Sequence, residues 1–169
     1  MGFAAYSGTG KTTLLKQLIP VLRQRGLRVG MIKHAHHGFD IDTPGKDSYE
    51  LRKAGSSQTL VASSRRFALI VEREDERRPR LDELIGRLDA TQLDIILVEG
   101  FRHVPFPKIE LHRPSQGKPL LFLEDDSIIA IASDAPLAVP PGIDMLDLND
   151  ISGIADFVTQ HQVSYPAQT

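Results

Sequence analysis

The chain has 169 residues, of which 25% are charged and 41% apolar, a formal net charge of −2 and no cysteine. This length predicts one domain, which we place at residues 1–162 with residues 163–169 as a frayed tail. The missing cysteines exclude disulfides, thiolate metal sites and cysteine nucleophiles, and the near-neutral charge argues against a general nucleic-acid binder. Neither a membrane helix nor a signal peptide is visible, so we expect a soluble cytoplasmic protein.

Strand-like and helix-like segments alternate along most of the chain. The predicted strands are residues 2–6, 28–34, 57–62, 67–71, 95–98, 108–112, 127–132 and 145–148. The predicted helices are residues 11–25, 47–54, 81–88 and 151–161. The alternation predicts an α/β fold, with a mostly parallel twisted sheet, helices on both faces and a small antiparallel extension. Residues 108–112 alternate like a half-exposed strand, and residues 120–123 are a second such piece.

The loop between the first strand and the first helix has the sequence AYSGTGKT at residues 5–12. This is a P-loop, with Ala5 in place of the usual first glycine. The glycines let successive backbone N–H groups point at phosphate oxygens, while Lys11 should reach the β- and γ-phosphates and Thr12 should bind Mg²⁺. We therefore expect a P-loop NTPase-like fold. The predicted nucleotide-binding residues of this loop are Ser7, Gly8, Thr9, Gly10, Lys11, Thr12 and Thr13.

Two carboxylates are candidates for the magnesium and catalytic site beside Lys11. Glu99 follows a continuous apolar run, and ligands of open α/β sheets gather at the carboxyl ends of such strands. Asp42 lies in the polar loop after the second strand, where it would hold Mg²⁺ or orient a water molecule. The same loop contains His34, His36 and His37, but no partner ligand set accompanies them, and we favour phosphate-oxygen bonding over metal binding.

The guanine-recognising Asn-Lys-x-Asp string of many GTPases is absent from the chain. Asp134 follows the buried strand at residues 127–132 and precedes Ala135-Pro136. A carboxylate there would accept hydrogen bonds from guanine N1–H and the N2 amino group, a pair that adenine lacks. A turn-forming role for Asp134 is equally compatible with the sequence.

Several segments together resemble the adapter proteins of molybdopterin-guanine dinucleotide biosynthesis, the MobB family. These segments are SGTGKTTLL (7–15), IKH (32–34), PGKDS (44–48), LRKAG (51–55), VEGF (98–101) and AIASD (130–134). The P-loop alone is shared by very many proteins, whereas the combination of the stretch at residues 34–48 with residues 98–101 is much more specific. Relatives begin a few residues earlier, so we expect a short first strand here.

The resemblance implies a GTP-binding protein with weak GTPase activity that uses Mg²⁺. It also implies a homodimer with β structure at the interface, for which residues 108–112 or 120–123 are the predicted edges. Its implied partners are the guanylyltransferase that joins GMP to molybdopterin, and proteins that carry molybdopterin. The sequence does not identify an arginine that acts on the phosphates in cis, so hydrolysis is expected to be slow.

A small-molecule kinase is the alternative that uses the same P-loop. Such an enzyme needs an acceptor pocket and an arginine-bearing lid. The charged segment at residues 72–80 contains four arginines that would suit a lid, although a solvated loop is the simpler explanation of the segment. These arginines are Arg73, Arg77, Arg78 and Arg80.

Overall fold

The computed structural model describes residues 1–35, 38–75 and 77–161. The chain divides into two compact units, one formed by residues 1–34 and 80–169 and the other by residues 35–79. The single domain predicted over residues 1–162 stays a prediction, and the tail at 163–169 lies outside the described residues. No helix among the described residues is long and apolar enough to cross a bilayer.

The first unit contains a six-stranded sheet in the order β2-β5-β1-β6-β7-β8, in which every neighbouring pair is parallel. Its strands are β1 (Gly2–Ala4), β2 (Val29–Lys33), β5 (Ile95–Glu99), β6 (Lys108–His112), β7 (Ile128–Ser133) and β8 (Asp144–Asp147). Its helices are α1 (Lys11–Gln24), α3 (Leu81–Ile85) and α4 (Ile151–Gln160). The predicted α/β fold is confirmed, and the first strand is short as expected.

Helices cover both faces of this sheet. On one face, the leucines that recur at helical spacing in α1, such as Leu18 and Leu22, pack with Ile154 and Val158 of α4 against the inward side chains of the strands. On the other face, Leu81 of α3 packs with the neighbouring side chains of β2 and β5. The continuous apolar run of β5 is explained by this arrangement, because a parallel strand covered on both faces needs apolar side chains on both.

Two sequence predictions about the sheet are wrong. Residues 108–112 are not a half-exposed edge, because β6 lies between β1 and β7 and all five residues are buried. Residues 120–123 form no strand, because Leu121–Leu123 is a 3₁₀ turn. Neither segment can therefore pair with a second chain through a free strand edge.

The second unit contains α2 (Asp47–Lys53) and the antiparallel hairpin of β3 (Gln58–Ala62) and β4 (Phe67–Val71). The hairpin is the antiparallel extension that the sequence predicted. Asp47 is the first residue of α2, and Lys46 occupies the cap position without a side-chain hydrogen bond. The side chain of Arg52, 5% exposed, forms ion pairs with three carboxylates, those of Asp40, Asp42 and Glu72.

Candidate functional site

The register of the parallel strands brings several chain segments to one edge of the first unit. Glu99 at the end of β5 is paired with Phe3 of β1 on one side and with Lys33 of β2 on the other. His112 of β6 is paired in the same way with Ser133 of β7. The P-loop after β1 therefore shares the carboxyl edge of the sheet with the segments that follow Lys33, Glu99, His112 and Ser133, the region where open α/β sheets bind ligands.

The P-loop has the backbone that phosphate binding requires. Gly8 and Gly10 adopt left-handed φ angles of 83° and 103°, which a residue with a side chain adopts only with strain. The helix α1 begins at Lys11, so its free N–H groups face the loop. The Lys11 ammonium donates to the Ala5 carbonyl at 3.4 Å, so the lysine side chain folds back over the P-loop. Ser7, Thr12 and Thr13 are exposed at the same place.

Charged side chains surround Lys11. Burial lowers the pKa of Lys11, the negative charge of Glu99 raises it, and the positive charges of Arg102 and Lys33 lower it further. Glu99 is itself held by Lys33, with Nζ 3.6 Å from Oε2, and its side chain is 15% exposed. Lys11 and Glu99, which the sequence assigned to the phosphates and to Mg²⁺ of one site, thus lie close enough to interact electrostatically, and the cations of Arg102 and Lys33 lie near Lys11 as well.

A segment after β6 holds the P-loop in place. Gln116 Nε2 donates to the Gly8 carbonyl at 3.1 Å, and its Oε1 lies 3.2 Å from the Thr9 hydroxyl. Arg113 Nε donates to the Thr9 carbonyl at 3.0 Å. Neither residue is recognisable as part of the site from the sequence, because more than 100 positions separate them from the loop and no local pattern marks them.

Asp134 lies at the same edge, where Arg113 is also its ion-pair partner. The guanidinium of Arg113 therefore joins the P-loop carbonyl of Thr9 to the carboxylate predicted to recognise guanine. The side chain of Asp134 is 25% exposed despite this ion pair. A base that approaches Asp134 must share this carboxylate with Arg113.

The second unit gives Asp42 a different environment from the one that the sequence predicted. Both of its carboxylate oxygens accept from Arg52, at 2.7 Å and 3.3 Å, and these bonds hold the pKa of Asp42 below its usual value. Its magnesium and catalytic role stays a prediction. His36 and His37 lie outside the described residues, and no group of three metal-ligating side chains occurs in the part of the chain that is described.

The P-loop after β1 and the segment VEGF at residues 98–101 meet at this edge of the sheet. The MobB family, described as molybdopterin guanine dinucleotide synthesis protein B, matches residues 1–134. The chain belongs to the MobB family.

Relatives and solved structures of the MobB family match over nearly the whole chain. The molybdopterin-guanine dinucleotide biosynthesis adapter protein of Escherichia coli (strain K12) is 54% identical over 95% of this chain and 91% of its own. The protein of that name from Haemophilus influenzae is 44% identical over 94% of this chain and 86% of its own length. A crystal structure of Bacillus subtilis MobB shares 25% identity and a TM-score of 0.74, covering 97% of this chain and 98% of that one.

Loss of the Gln116 side chain should weaken nucleotide binding. We expect Gln116→Ala to lower the affinity for GTP about fivefold, because one or two hydrogen bonds that preorganise the loop, each contributing ~1 kcal/mol, disappear. A fluorescent-nucleotide titration measures the change. Gln24→Ala, at the exposed end of α1, is the matched control. Equal affinities of the two variants would show that the segment does not support the loop.

Proposed function

We propose that this chain is a GTP-binding adapter in the biosynthesis of molybdopterin-guanine dinucleotide, with weak Mg²⁺-dependent GTPase activity, acting in the cytoplasm. The observation that carries the proposal is a P-loop with left-handed glycines in a chain of the MobB family. Curated relatives named adapter proteins support the role in the pathway. No described feature of the chain favours the kinase alternative: Arg77 and Arg80 of the proposed lid pair with Asp75 and Asp82.

The residues at the sheet edge fit a magnesium nucleotide. Backbone N–H groups of residues 7–13 and the Lys11 ammonium supply donors for phosphate oxygens. The Thr12 hydroxyl and the Glu99 carboxylate are oxygen ligands of the kind that Mg²⁺ takes, Glu99 directly or through water. Held by these two residues, the ion would neutralise charge on the phosphates. Because Asp42 has both oxygens on Arg52, we assign the magnesium ligands to Thr12 and Glu99.

Asp134 is the residue that we assign to guanine recognition. Its position after β7, beside the segment that holds the P-loop, places a carboxylate at the same edge as the phosphates. A carboxylate accepts from both N1–H and the N2 amino group of guanine, whereas adenine offers no such pair.

Substitution of Asp134 should change the preferred base. Wild-type chain should bind GTP more tightly than ATP, and Asp134→Asn should lose GTP affinity at least about tenfold, because a charged hydrogen-bond acceptor is removed. The same variant should gain affinity for XTP, since an amide N–H matches the C2 oxygen of xanthine. Isothermal titration with the three nucleotides measures this. Gln116→Ala is the control, because it loosens the P-loop without removing a partner of Asp134, and it should lower GTP and XTP affinity by the same factor. A wild-type preference for ATP would contradict the guanine assignment.

The adapter role predicts a nucleotide-responsive partner. Immobilised wild-type chain should retain the molybdopterin guanylyltransferase, and the amount retained should differ between GTP, GDP and nucleotide-free conditions. Lys11→Ala should abolish that difference, because the ammonium that contacts the phosphates is gone. Lys16→Ala, on the same helix at an exposed position, is the matched control. Failure to retain the guanylyltransferase in every nucleotide state would contradict the adapter role.

The hairpin of the second unit is the surface that we assign to a homodimer. Leu60 and Leu69 face each other across the two strands, and Phe67 and Val71 lie on the same face. All four are exposed, Phe67 to 75% and Leu60 to 63%. A two-stranded sheet with an uncovered apolar face is marginally stable in water, so a second copy of the same face is the natural cover.

Negative charges introduced on that apolar face should dissociate the dimer into monomers. We expect wild-type chain to have twice the mass of one chain by light scattering, and Leu60→Glu with Leu69→Glu to have the mass of one, because four carboxylates would be buried in the paired interface. Ser64→Glu in the hairpin turn adds a carboxylate away from the face and should leave the dimer intact. A monomeric wild-type chain at micromolar concentration would contradict the assignment.

A further inference from the structure

Arg102 is a cation beside the P-loop that has no role in the phosphate and magnesium site proposed above. Its guanidinium lies over the ring of Tyr6, 5.3 Å from the ring centre. Tyr6 is the second residue of the P-loop, and the neighbouring Ala5 carbonyl holds the Lys11 ammonium. Arg102 therefore stands at the end of the loop where Lys11 is, which is the end that carries the β- and γ-phosphates in a P-loop.

The backbone between Glu99 and Arg102 follows a constrained path. Gly100 has φ 96°, and a Cβ at that position would lie 2.6 Å from the Cβ of His34. Phe101 has φ 56°, and it is the one described residue other than glycine with a positive φ. Such a conformation persists only where the surroundings enforce it, and it is found disproportionately at ligand-binding sites.

Packing of Phe101 explains how the strained turn is maintained. Its side chain is buried, and its ring stacks on His34 with 4.9 Å between ring centres. The Phe101 carbonyl accepts from Val104 N at 3.0 Å, which closes a turn around Arg102. Phe101 is thus anchored on the sheet side, and the adjacent residue, Arg102, is exposed. The turn links the magnesium-side carboxylate, Glu99, to the exposed arginine by only two intervening residues.

The charge at this place suits a phosphate group. Glu99, Arg102 and Lys33 all lie close enough to Lys11 to shift its pKa, which the charges of Arg102 and Lys33 lower, and Lys33 is also the ion-pair partner of Glu99. Three cations near one carboxylate repel one another, and an anion between them relieves that repulsion. A guanidinium that rests on an aromatic face also keeps the N–H groups of its edge for oxygen acceptors.

We propose that Arg102 contacts the γ-phosphate of bound GTP and stabilises its charge during hydrolysis, as an arginine supplied in cis. The inference rests on the proposed GTP-binding function and deepens it. In the reaction, a water oxygen bonds to the γ-phosphorus while the bond to the β–γ bridging oxygen breaks and leaves its electron pair on GDP. Both protons of the water go to the inorganic phosphate, which releases one of them to solvent. Arg102 donates to the γ-oxygens, where charge accumulates.

Arg102→Ala should weaken the binding of GTP and leave the binding of GDP unchanged. We expect GTP affinity to fall about tenfold with GDP affinity unchanged, because only GTP carries the phosphate that Arg102 contacts. Binding of GDP with aluminium fluoride, which occupies the γ-position as a planar group, should be lost, and single-turnover hydrolysis should slow at least about tenfold. Arg102→Lys should keep GTP binding near wild type and still fail to bind aluminium fluoride, since an ammonium lacks the guanidinium fork.

Arg23→Ala, near the end of α1, is the matched control and should change none of these values. The inference is overturned if Arg102→Ala equals Arg23→Ala throughout, or if it weakens GDP as much as GTP, which would indicate a general charge effect. Thermal unfolding of each variant checks the fold. Failure of the proposed function has a different signature, since the wild-type chain itself would then prefer ATP. In that case the comparison of ATP with ADP tests Arg102 in the same way.

Discussion

The parallel pairing of β5 with β1 and β2 determines where the charges of the candidate site stand. This pairing places Glu99 opposite Phe3 and Lys33, so a carboxylate and a lysine reach the edge where the P-loop begins. The Glu99 carbonyl also accepts from His34 N at 2.8 Å, which extends the pairing past the end of β2. A shift of β5 by one residue would turn Glu99 to the other face of the sheet and dismantle the site.

A second constraint comes from the polar face of β6. Lys108 Nζ, with its side chain 1% exposed, donates to the Val104 carbonyl at 2.7 Å and to Asp125 at 3.0 Å. Glu110 accepts from the backbone N–H groups of Leu121 and Phe122, and burial raises the pKa of its carboxyl. Buried charges are tolerated only when they are paired in this way, so β6 binds its neighbouring loops tightly. The strand that leads to Arg113 is consequently well anchored.

The same strand shows why one sequence prediction was wrong. Lys108, Glu110 and His112 alternate with apolar residues, a pattern typical of a strand with one face in water. The pattern identifies a polar face but not what covers it. Here the covering groups are loop amides and Asp125, whose positions depend on β7 and the segment before it. Local periodicity carries no information about such partners. The continuous apolar run of β5 was enough to predict that strand, because its apolar side chains need no specific partner.

The sequence alone determined the P-loop, the α/β fold, the apolar faces of α1 and α4 and the place of Glu99 at a strand end, because each follows from neighbouring residues and their spacing. Tertiary structure alone decided which distant groups join that loop. Gln116 and Arg113 hold it from more than 100 residues away, and the left-handed turn at Gly100 and Phe101 brings Arg102 onto Tyr6. Asp42, in turn, received Arg52 as its partner. The physical reason is that strand register and loop packing, which no local pattern encodes, set the distances between charged side chains that are far apart in the chain.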